Sequence, residues 1–183
     1  IALSTIEKFK EYASALTGFD LNKANTSVLL VLEESDKDRW VETIRKFGVN
    51  IKGYLSGGFN SWQKAGLPVD MIIDVEADEL MMDIPFDNNL IVVDIRPRIA
   101  FGSGHLKDAV NIPLNEINNP LRLSAIEEND NLYLVGNNDE EAFLAASFLK
   151  RHDIHNLRVV LGGWPAVQQE KKAQIVKEPG MLN

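Results

Sequence analysis

Short apolar runs alternate with amphipathic segments along the chain. Val28 to Leu32 and Leu132 to Val135 are uncharged runs with the length of buried strands. An acidic loop follows each run, and then a segment whose apolar residues recur every three or four positions, which predicts a helix with one buried face. These apolar positions are Trp40, Ile44 and Phe47 in the first segment and Ala142, Ala145, Ala146 and Leu149 in the second. Another strand follows each helix, at Ile51 to Leu55 and at Leu157 to Leu161.

This alternation of strands and helices predicts the fold class. Neighbouring parallel strands need a long crossover connection, which is usually a helix, and such crossovers are right-handed. A sheet built this way is covered by helices on both faces. We therefore predict an α/β fold with an open parallel sheet between two layers of helices.

The same order of elements occurs twice and ends each time in two glycines followed by an aromatic residue. Gly57-Gly58-Phe59 and Gly162-Gly163-Trp164 are 105 positions apart in the sequence. Self-similarity at a fixed distance is typical of a repeated structural unit. The sequence therefore predicts a tandem of two related units.

The second copy is complete and the first is shortened. Four further elements precede Leu132: a helix, a strand, a turn and a β-type segment, at Ala77 to Met82, Leu90 to Asp94, Gly104-His105 and Val110 to Leu114. Only 27 residues precede Val28, and they contain no counterpart of the strand or the turn. We predict that residues 1–72 are the C-terminal part of a truncated domain, that residues 73–183 are a complete domain, and that the chain is a piece of a longer protein.

Charge and composition exclude several classes of protein. The 27 acidic and 19 basic residues give a formal net charge of -8, which disfavours binding to nucleic acid or to an anionic membrane. No apolar run approaches the ~20 residues that a membrane-spanning helix needs. We expect a cytoplasmic globular protein that binds neither nucleic acid nor membrane.

The sequence offers no residues for a metal site or a cofactor site. Three histidines and no cysteines provide no ligand set with the spacing of a zinc or iron site. The Gly-Gly pairs lack the flanking residues of a phosphate-binding loop. We therefore predict no bound metal and no cofactor.

Several motifs in the second copy resemble those of rhodanese-like domains, the sulfurtransferase family that carries sulfur as a cysteine persulfide. The hydrophobic strand ends in Asp94-Ile95-Arg96, and Gly104-His105-Leu106 and Asn111-Ile112-Pro113 follow in the family's order. Gly162, Gly163 and Trp164 match the segment that closes the domain, so the resemblance covers residues 75 to 175. From the residues themselves we expect structural rather than catalytic roles: Asp94 and Arg96 as a buried or half-buried pair at the strand end, His105 bonded to backbone, and Trp164 as a packing anchor.

The resemblance places the nucleophilic cysteine at Gly136, counted back from Ala145-Ala146. The active-site loop of such a domain needs cationic groups and free backbone N–H groups to hold an anion. The loop of this chain is polar and acidic instead, with the residues Asn137, Asn138, Asp139, Glu140 and Glu141. The equivalent loop of the first copy, residues 33–39, is also mostly acidic. We therefore predict a vestigial site with no catalytic residue.

A tandem of this kind resembles the C-terminal region of proteins in which a metallo-β-lactamase-fold domain precedes two rhodanese-like domains, such as persulfide dioxygenases. The resemblance implies a non-catalytic accessory role, with the upstream metal-binding domain of the same protein as the partner, or a homodimer. The alternative is a stand-alone regulatory or binding module that uses the vestigial hollow for a polar or cationic ligand. Catalysis by other residues would need a nucleophile beside a base, and the sequence contains no such pair.

Overall fold

The computed structural model describes residues 27–46, 49–124 and 126–178. Phe47, one of the apolar residues expected on the first helix, lies outside the described residues, as does the opening segment 1–26. The described residues form two compact units, one that ends at Met71 and one that begins at Ile72.

Between residues 27 and 71, the described part of the first unit contains two strands and two helices. Strand β1 (Ser27–Val31) leads through a 3-10 turn (Glu34–Asp36) into helix α1 (Lys37–Lys46), and strand β2 (Asn50–Leu55) is followed by helix α2 (Gly58–Lys64). The two strands pair in parallel, with α1 as the crossover. The core of the unit consists of Leu30, Ile44 and Val49, with Val28, Leu32, Trp40, Val41 and Ile51 packed against them.

The second unit contains seven strands and five helices. They are, in chain order, β3 (Ile73–Val75), α3 (Ala77–Asp83), β4 (Leu90–Asp94), α4 (Arg98–Ser103), β5 (His105–Leu106), β6 (Val110–Asn111), α5 (Pro120–Leu123), β7 (Asn131–Val135), α6 (Asp139–Arg151), β8 (Leu157–Val160), α7 (Gly163–Val167) and β9 (Ile175–Val176), with a 3-10 turn (Leu114–Glu116) after β6.

Five of these strands form one parallel sheet in the order β3-β8-β7-β4-β6. The central strand β7 pairs with β4 on one side and with β8 on the other, and its residues 132–135 are at most 2% exposed. A strand that is buried on both faces has a continuous apolar sequence, and this is why the apolar run Leu132 to Val135 predicted a strand correctly. The predicted α/β fold with a parallel sheet flanked by helices is confirmed.

Two local features differ from the sequence-based expectation. Strand β3, which precedes the helix expected at Ala77, was not expected; it pairs with β8 at the edge of the sheet. An edge strand pairs on one side only, so this short acidic segment can form one. At the expected Gly104-His105 turn, only Gly104 is irregular, directly after α4; His105 begins β5, which pairs antiparallel with β9.

The longest helix, α6, has charges that match its dipole at both ends. Three acidic residues occupy its first turn and Lys150 and Arg151 its last, and the Asn138 side chain caps its N-terminus by accepting a hydrogen bond from the Glu141 N–H. In the part of the chain that the structure describes, no helix has the length and apolar character needed to cross a bilayer.

The Tyr133 hydroxyl is a buried polar group in the core of the second unit. It donates a hydrogen bond of 2.7 Å to an Asp83 carboxylate oxygen, and the Arg158 guanidinium carbon lies 5.3 Å from the centre of the Tyr133 ring. Burial, aided by the hydrogen bond to Asp83, raises the pKa of Tyr133 from 10.0 to about 12. The folded protein therefore keeps this phenol neutral at pH values where the unfolded chain ionises it.

We predict that the free energy of unfolding falls as the pH rises from about 10 to about 12, because only the unfolded state loses the Tyr133 proton in that range. Below pH 10 both states hold the proton and Tyr133 contributes no slope. Tyr133→Phe should remove this part of the alkaline loss of stability, and Tyr54→Phe, at a position 46% exposed, should leave it in place. Urea unfolding between pH 9 and 12 measures the slopes, and equal slopes in the two variants would contradict the prediction.

Candidate functional site

A buried ion pair lies where β4 ends. Asp94 is the last residue of the strand and Arg96 follows it by two, and they are 1% and 3% exposed. The Arg96 Nε donates to Asp94 Oδ1 at 2.9 Å and its Nη2 donates to Oδ2 at 2.6 Å. The same Nη2 donates to the Gly104 carbonyl oxygen at 2.8 Å. The guanidinium thus joins the strand end to the residue that follows α4.

Trp164 covers the guanidinium on its face. The Arg96 Cζ lies 4.0 Å from the centre of the Trp164 ring, which is a cation–π contact in a buried setting. The Trp164 backbone N–H donates to the Gly136 carbonyl oxygen at 2.8 Å. Arg96 and Trp164 therefore connect the ends of β4 and β7 with the first turn of α7.

Asn111 and His105 hold the backbone around the ion pair. The Asn111 side-chain amide donates to the carbonyl oxygens of Asp94 and Arg96, at 2.8 and 2.9 Å. The His105 Nδ1 lies 2.9 Å from the Phe101 carbonyl oxygen, and its ring stacks on the Phe101 ring with centres 3.7 Å apart. The contacts of both residues stabilise the local backbone.

Carboxylates of the loop after β7 bind the loop's own donors. Glu141 Oε2 accepts hydrogen bonds from the Asn137 backbone N–H at 3.1 Å and from its side-chain amide at 2.8 Å. Asp139 Oδ1 accepts from the Gly162 N–H at 2.6 Å. These backbone donors, at a helix N-terminus, are of the kind that would hold an anionic ligand. The protein's own carboxylates occupy them instead.

Gly136 and Gly163 approach each other closely. Gly163 has a left-handed backbone with φ of 55°, and a Cβ atom there would lie 2.5 Å from the Gly136 carbonyl oxygen. A Cβ atom on Gly136 itself would lie 3.0 Å from the Asn138 carbonyl oxygen and 3.3 Å from the Glu141 Cβ. The space beside Gly136 is therefore almost filled by the loop.

The structure brings most of the sequence-predicted residues together at one end of the sheet. Asp94, Arg96, Gly104 and Trp164 form the buried network, and the loop and the Gly162-Gly163 turn close over it. Asn137 and Asn138 are exposed, and Asp139, Glu140 and Glu141 are half-buried. His105 lies beside this network, on the Phe101 side. Among the described residues no three His, Asp or Glu side chains are placed to hold a metal ion.

Two features of the site were not predicted from the sequence. Asn111 was noted only as part of a motif, although its spacing from Asp94 places it beside the strand end in a parallel sheet. The sequence contains a weak indication that the Glu141 side chain bonds the loop. Asn138 and Glu141 are three positions apart, which is the spacing of a helix N-cap residue and an acidic residue at N3.

A profile of the rhodanese-like domain family matches residues 76–170. The match lies within the second unit and does not extend into residues 27–71. No curated protein sequence matches the chain.

Solved structures of rhodanese-like proteins share the fold. The rhodanese-like domain of an Anabaena protein has a TM-score of 0.52 at 20% identity, over 58% of this chain and 80% of that chain. A rhodanese-related protein from Thermoplasma volcanium has a TM-score of 0.51 at 21% identity, over 58% and 99%. The anaerobic ergothioneine biosynthesis enzyme from Chlorobium limicola has a TM-score of 0.52 at 18% identity, over 58% and 28%. At such identities the likeness shows the fold alone.

We predict that Arg96→Met destabilises the second unit by about 3–5 kcal/mol, because it leaves the Asp94 carboxylate buried and unpaired. Asp94→Asn combined with Arg96→Met should cost less than Arg96→Met alone, since no buried charge then lacks a partner. The control is Arg98→Met, because Arg98 forms an exposed ion pair with Glu116 that is worth at most about 1 kcal/mol. Urea unfolding measures all three, and equal losses for Arg96→Met and Arg98→Met would count against the role of the buried pair.

Gly163→Ala is expected to destabilise the second unit by about 2–6 kcal/mol, because it adds left-handed backbone strain to a clash with the Gly136 carbonyl. Gly104→Ala is the control: its backbone is extended and the added carbon would meet ordinary contacts at 3.6 Å. We expect that variant to stay within about 1 kcal/mol of the wild type. Thermal unfolding measures the stability of both variants. Similar losses of stability would show that the close approach of Gly163 to the Gly136 carbonyl contributes little to stability.

Proposed function

The chain belongs to the rhodanese-like domain family yet contains no cysteine, and we propose that its second unit is a catalytically silent rhodanese-like domain. Its role is that of an accessory part of a longer sulfur-metabolism enzyme that begins with a metallo-β-lactamase-fold domain. Gly136 carries the proposal, because it stands where the resemblance expects the nucleophile and its surroundings leave little space for a side chain.

The missing thiol is sufficient to prevent persulfide chemistry. Sulfur transfer through a covalent intermediate requires a thiolate that attacks the donor and then holds the sulfur. The sequence provides no thiol at any position. The Glu141 carboxylate adds a second obstacle, since it binds the loop donors and repels thiosulfate or sulfite.

The first unit supports a tandem in which residues 1–72 are the C-terminal part of a shortened first copy of the same domain. A Cβ atom on Gly58 would lie 2.6 Å from the Leu32 carbonyl oxygen, the same close approach that Gly163 makes to Gly136. Leu32 therefore corresponds to Gly136, and neither position has a nucleophile. Residues 33–39, after Leu32, contain no cysteine either.

The accessory role also agrees with how such domains occur in longer chains. This chain covers only 28% of the Chlorobium limicola enzyme, so in that protein the similar region is one part of a larger polypeptide. The native mass and metal content of the protein purified from its source test this part of the proposal. A polypeptide well above 20.5 kDa with bound iron or zinc is the expected result, and a metal-free protein of 20.5 kDa would favour a stand-alone binding module instead.

We predict that the wild-type chain does not transfer sulfur from thiosulfate to cyanide. Gly136→Cys alone should stay inactive, because the new thiol lies beside the Glu141 side chain, whose negative charge raises the pKa of that thiol. Adding Glu141→Gln to Gly136→Cys should lower the pKa of the same thiol, since the negative charge is removed.

The cysteine-free background makes this measurement unambiguous, because each variant contains a single thiol. The pH dependence of alkylation reports its pKa, with Lys172→Cys as an exposed reference thiol. Robust sulfur transfer by the wild type would overturn the proposal. Equal thiol pKa values in the single and double variants would show that Glu141 does not control the loop.

A further inference from the structure

From Leu29 onwards, β1 and β2 pair in the same register as β7 and β8. Leu29 lies opposite Gly53, as Tyr133 lies opposite Arg158, and a β-bulge between Val28 and Leu29 interrupts the correspondence before that point. The residue numbers differ by 104 between β1 and β7 and by 105 between β2 and β8, and the two Gly-Gly pairs also differ by 105. The residues of β1 from Leu29, of β2 from Gly53 and of α2 therefore each have a counterpart in the second unit.

One face of the first unit is exposed although its counterpart is the core of the second unit. Leu29 is 76% exposed and Val31 is 57% exposed. Their counterparts Tyr133 and Val135 are 2% and 1% exposed. We call the surface formed by Leu29, Val31, Leu55 and Trp62 the open face. Exposed apolar surface of this kind marks an interaction site.

The open face contains a groove of about 360 Å³. The groove is lined mainly by apolar residues: Val31, Leu55, Phe59, Trp62, Pro68 and Val69. The counterparts of Val31, Leu55 and Trp62 are Val135, Val160 and Val167, which belong to one core cluster with Leu80 and Met81 of α3. An apolar helix thus occupies, in the second unit, the place that the groove leaves open in the first.

The edge of β1 is open in the same way. Among the described residues β1 pairs only with β2, whereas β7 pairs with β8 on one side and with the parallel strand β4 on the other. An unpaired strand edge presents a row of N–H and C=O groups that another strand can bind. The described residues of the first unit therefore include no counterpart of the strand β4 or of the helix α3, which complete the second unit.

We propose that the open face binds an amphipathic helix and that the free edge of β1 binds a parallel strand, both supplied by a segment of the same polypeptide that precedes Ile1. In the second unit α3 begins at residue 77 and β7 at residue 131, a distance of 54 positions. The same distance before Ser27 falls upstream of residue 1. The inference rests on the proposed assignment of residues 1–72 to a shortened domain, and is independent of catalytic silence.

Single-cysteine labelling tests this proposal in a chain without native thiols. Leu29→Cys and Val31→Cys are made in the 183-residue chain and in the full-length polypeptide, and alkylation by iodoacetamide is followed by peptide mass spectrometry. Glu42→Cys on α1 is the matched control, since the Glu42 side chain is 71% exposed and outside the open face. Hydrogen exchange of the unsubstituted proteins follows the β1 amides without any substitution.

We expect all three thiols to react at similar rates in the 183-residue chain. In the full-length polypeptide the thiols at positions 29 and 31 should react at least about 100-fold more slowly than the control, since they then react only after local opening, and the β1 amides should become protected. Equal rates in both proteins would overturn the proposal, as would slow labelling in the 183-residue chain, or a full-length polypeptide of only 20.5 kDa. Protection that grows with protein concentration would assign the face to a second copy. Sulfur-transfer activity in the wild type would leave this result unchanged and affect only the proposed silence.

Discussion

The buried ion pair between Asp94 and Arg96 is the interaction on which the second unit depends. Transfer of two charges into the interior costs several kcal/mol for each ion, so the pair is stable only when its hydrogen bonds are satisfied. Arg96 meets that condition by binding both Asp94 oxygens and the Gly104 carbonyl while Trp164 covers its face. The end of β4, the segment after α4 and the first turn of α7 are thereby held in one arrangement. None of these contacts needs a substrate or a thiol, so the architecture forms in a chain that contains no cysteine.

The loop after β7 supplies the hydrogen-bond acceptors for its own backbone N–H groups. Backbone N–H groups at the start of a helix must find acceptors, and an anionic ligand would be one source. Here Asn138 caps the helix, Glu141 binds the Asn137 donors and Asp139 binds the Gly162 N–H. The close approach of Gly163 to Gly136 leaves little space for a side chain beneath them. The loop is thus stabilised by its own residues, which agrees with the accessory role proposed above.

Both units contain a pair of parallel strands joined by a helix, but the two pairs differ in what covers them. In the second unit the apolar side chains of β7, β8 and α7 are covered by α3 and by the neighbouring strand β4, and they form a core. In the first unit β1 and β2 also pair in parallel, but the side chains of Leu29 and Val31 are exposed. The strand pair of the second unit is therefore part of a complete core. The strand pair of the first unit instead presents an apolar surface on which a further helix and strand could pack.

The order of strands and helices, the Gly-Gly pairs and the missing cysteine could all be determined from the sequence, because apolar periodicity and residue identity are local properties. The parallel sheet followed from them, since helical crossovers impose that direction. Other features depended on contacts between distant residues. The strand at Ile73–Val75 exists because β8 offers an edge, and Asp139 turns inward because the Gly162 N–H, 23 positions away, lies within reach. The exposure of Leu29 and the burial of Tyr133 were likewise decided by tertiary structure, since both lie in short apolar strands and only Tyr133 is covered by other elements.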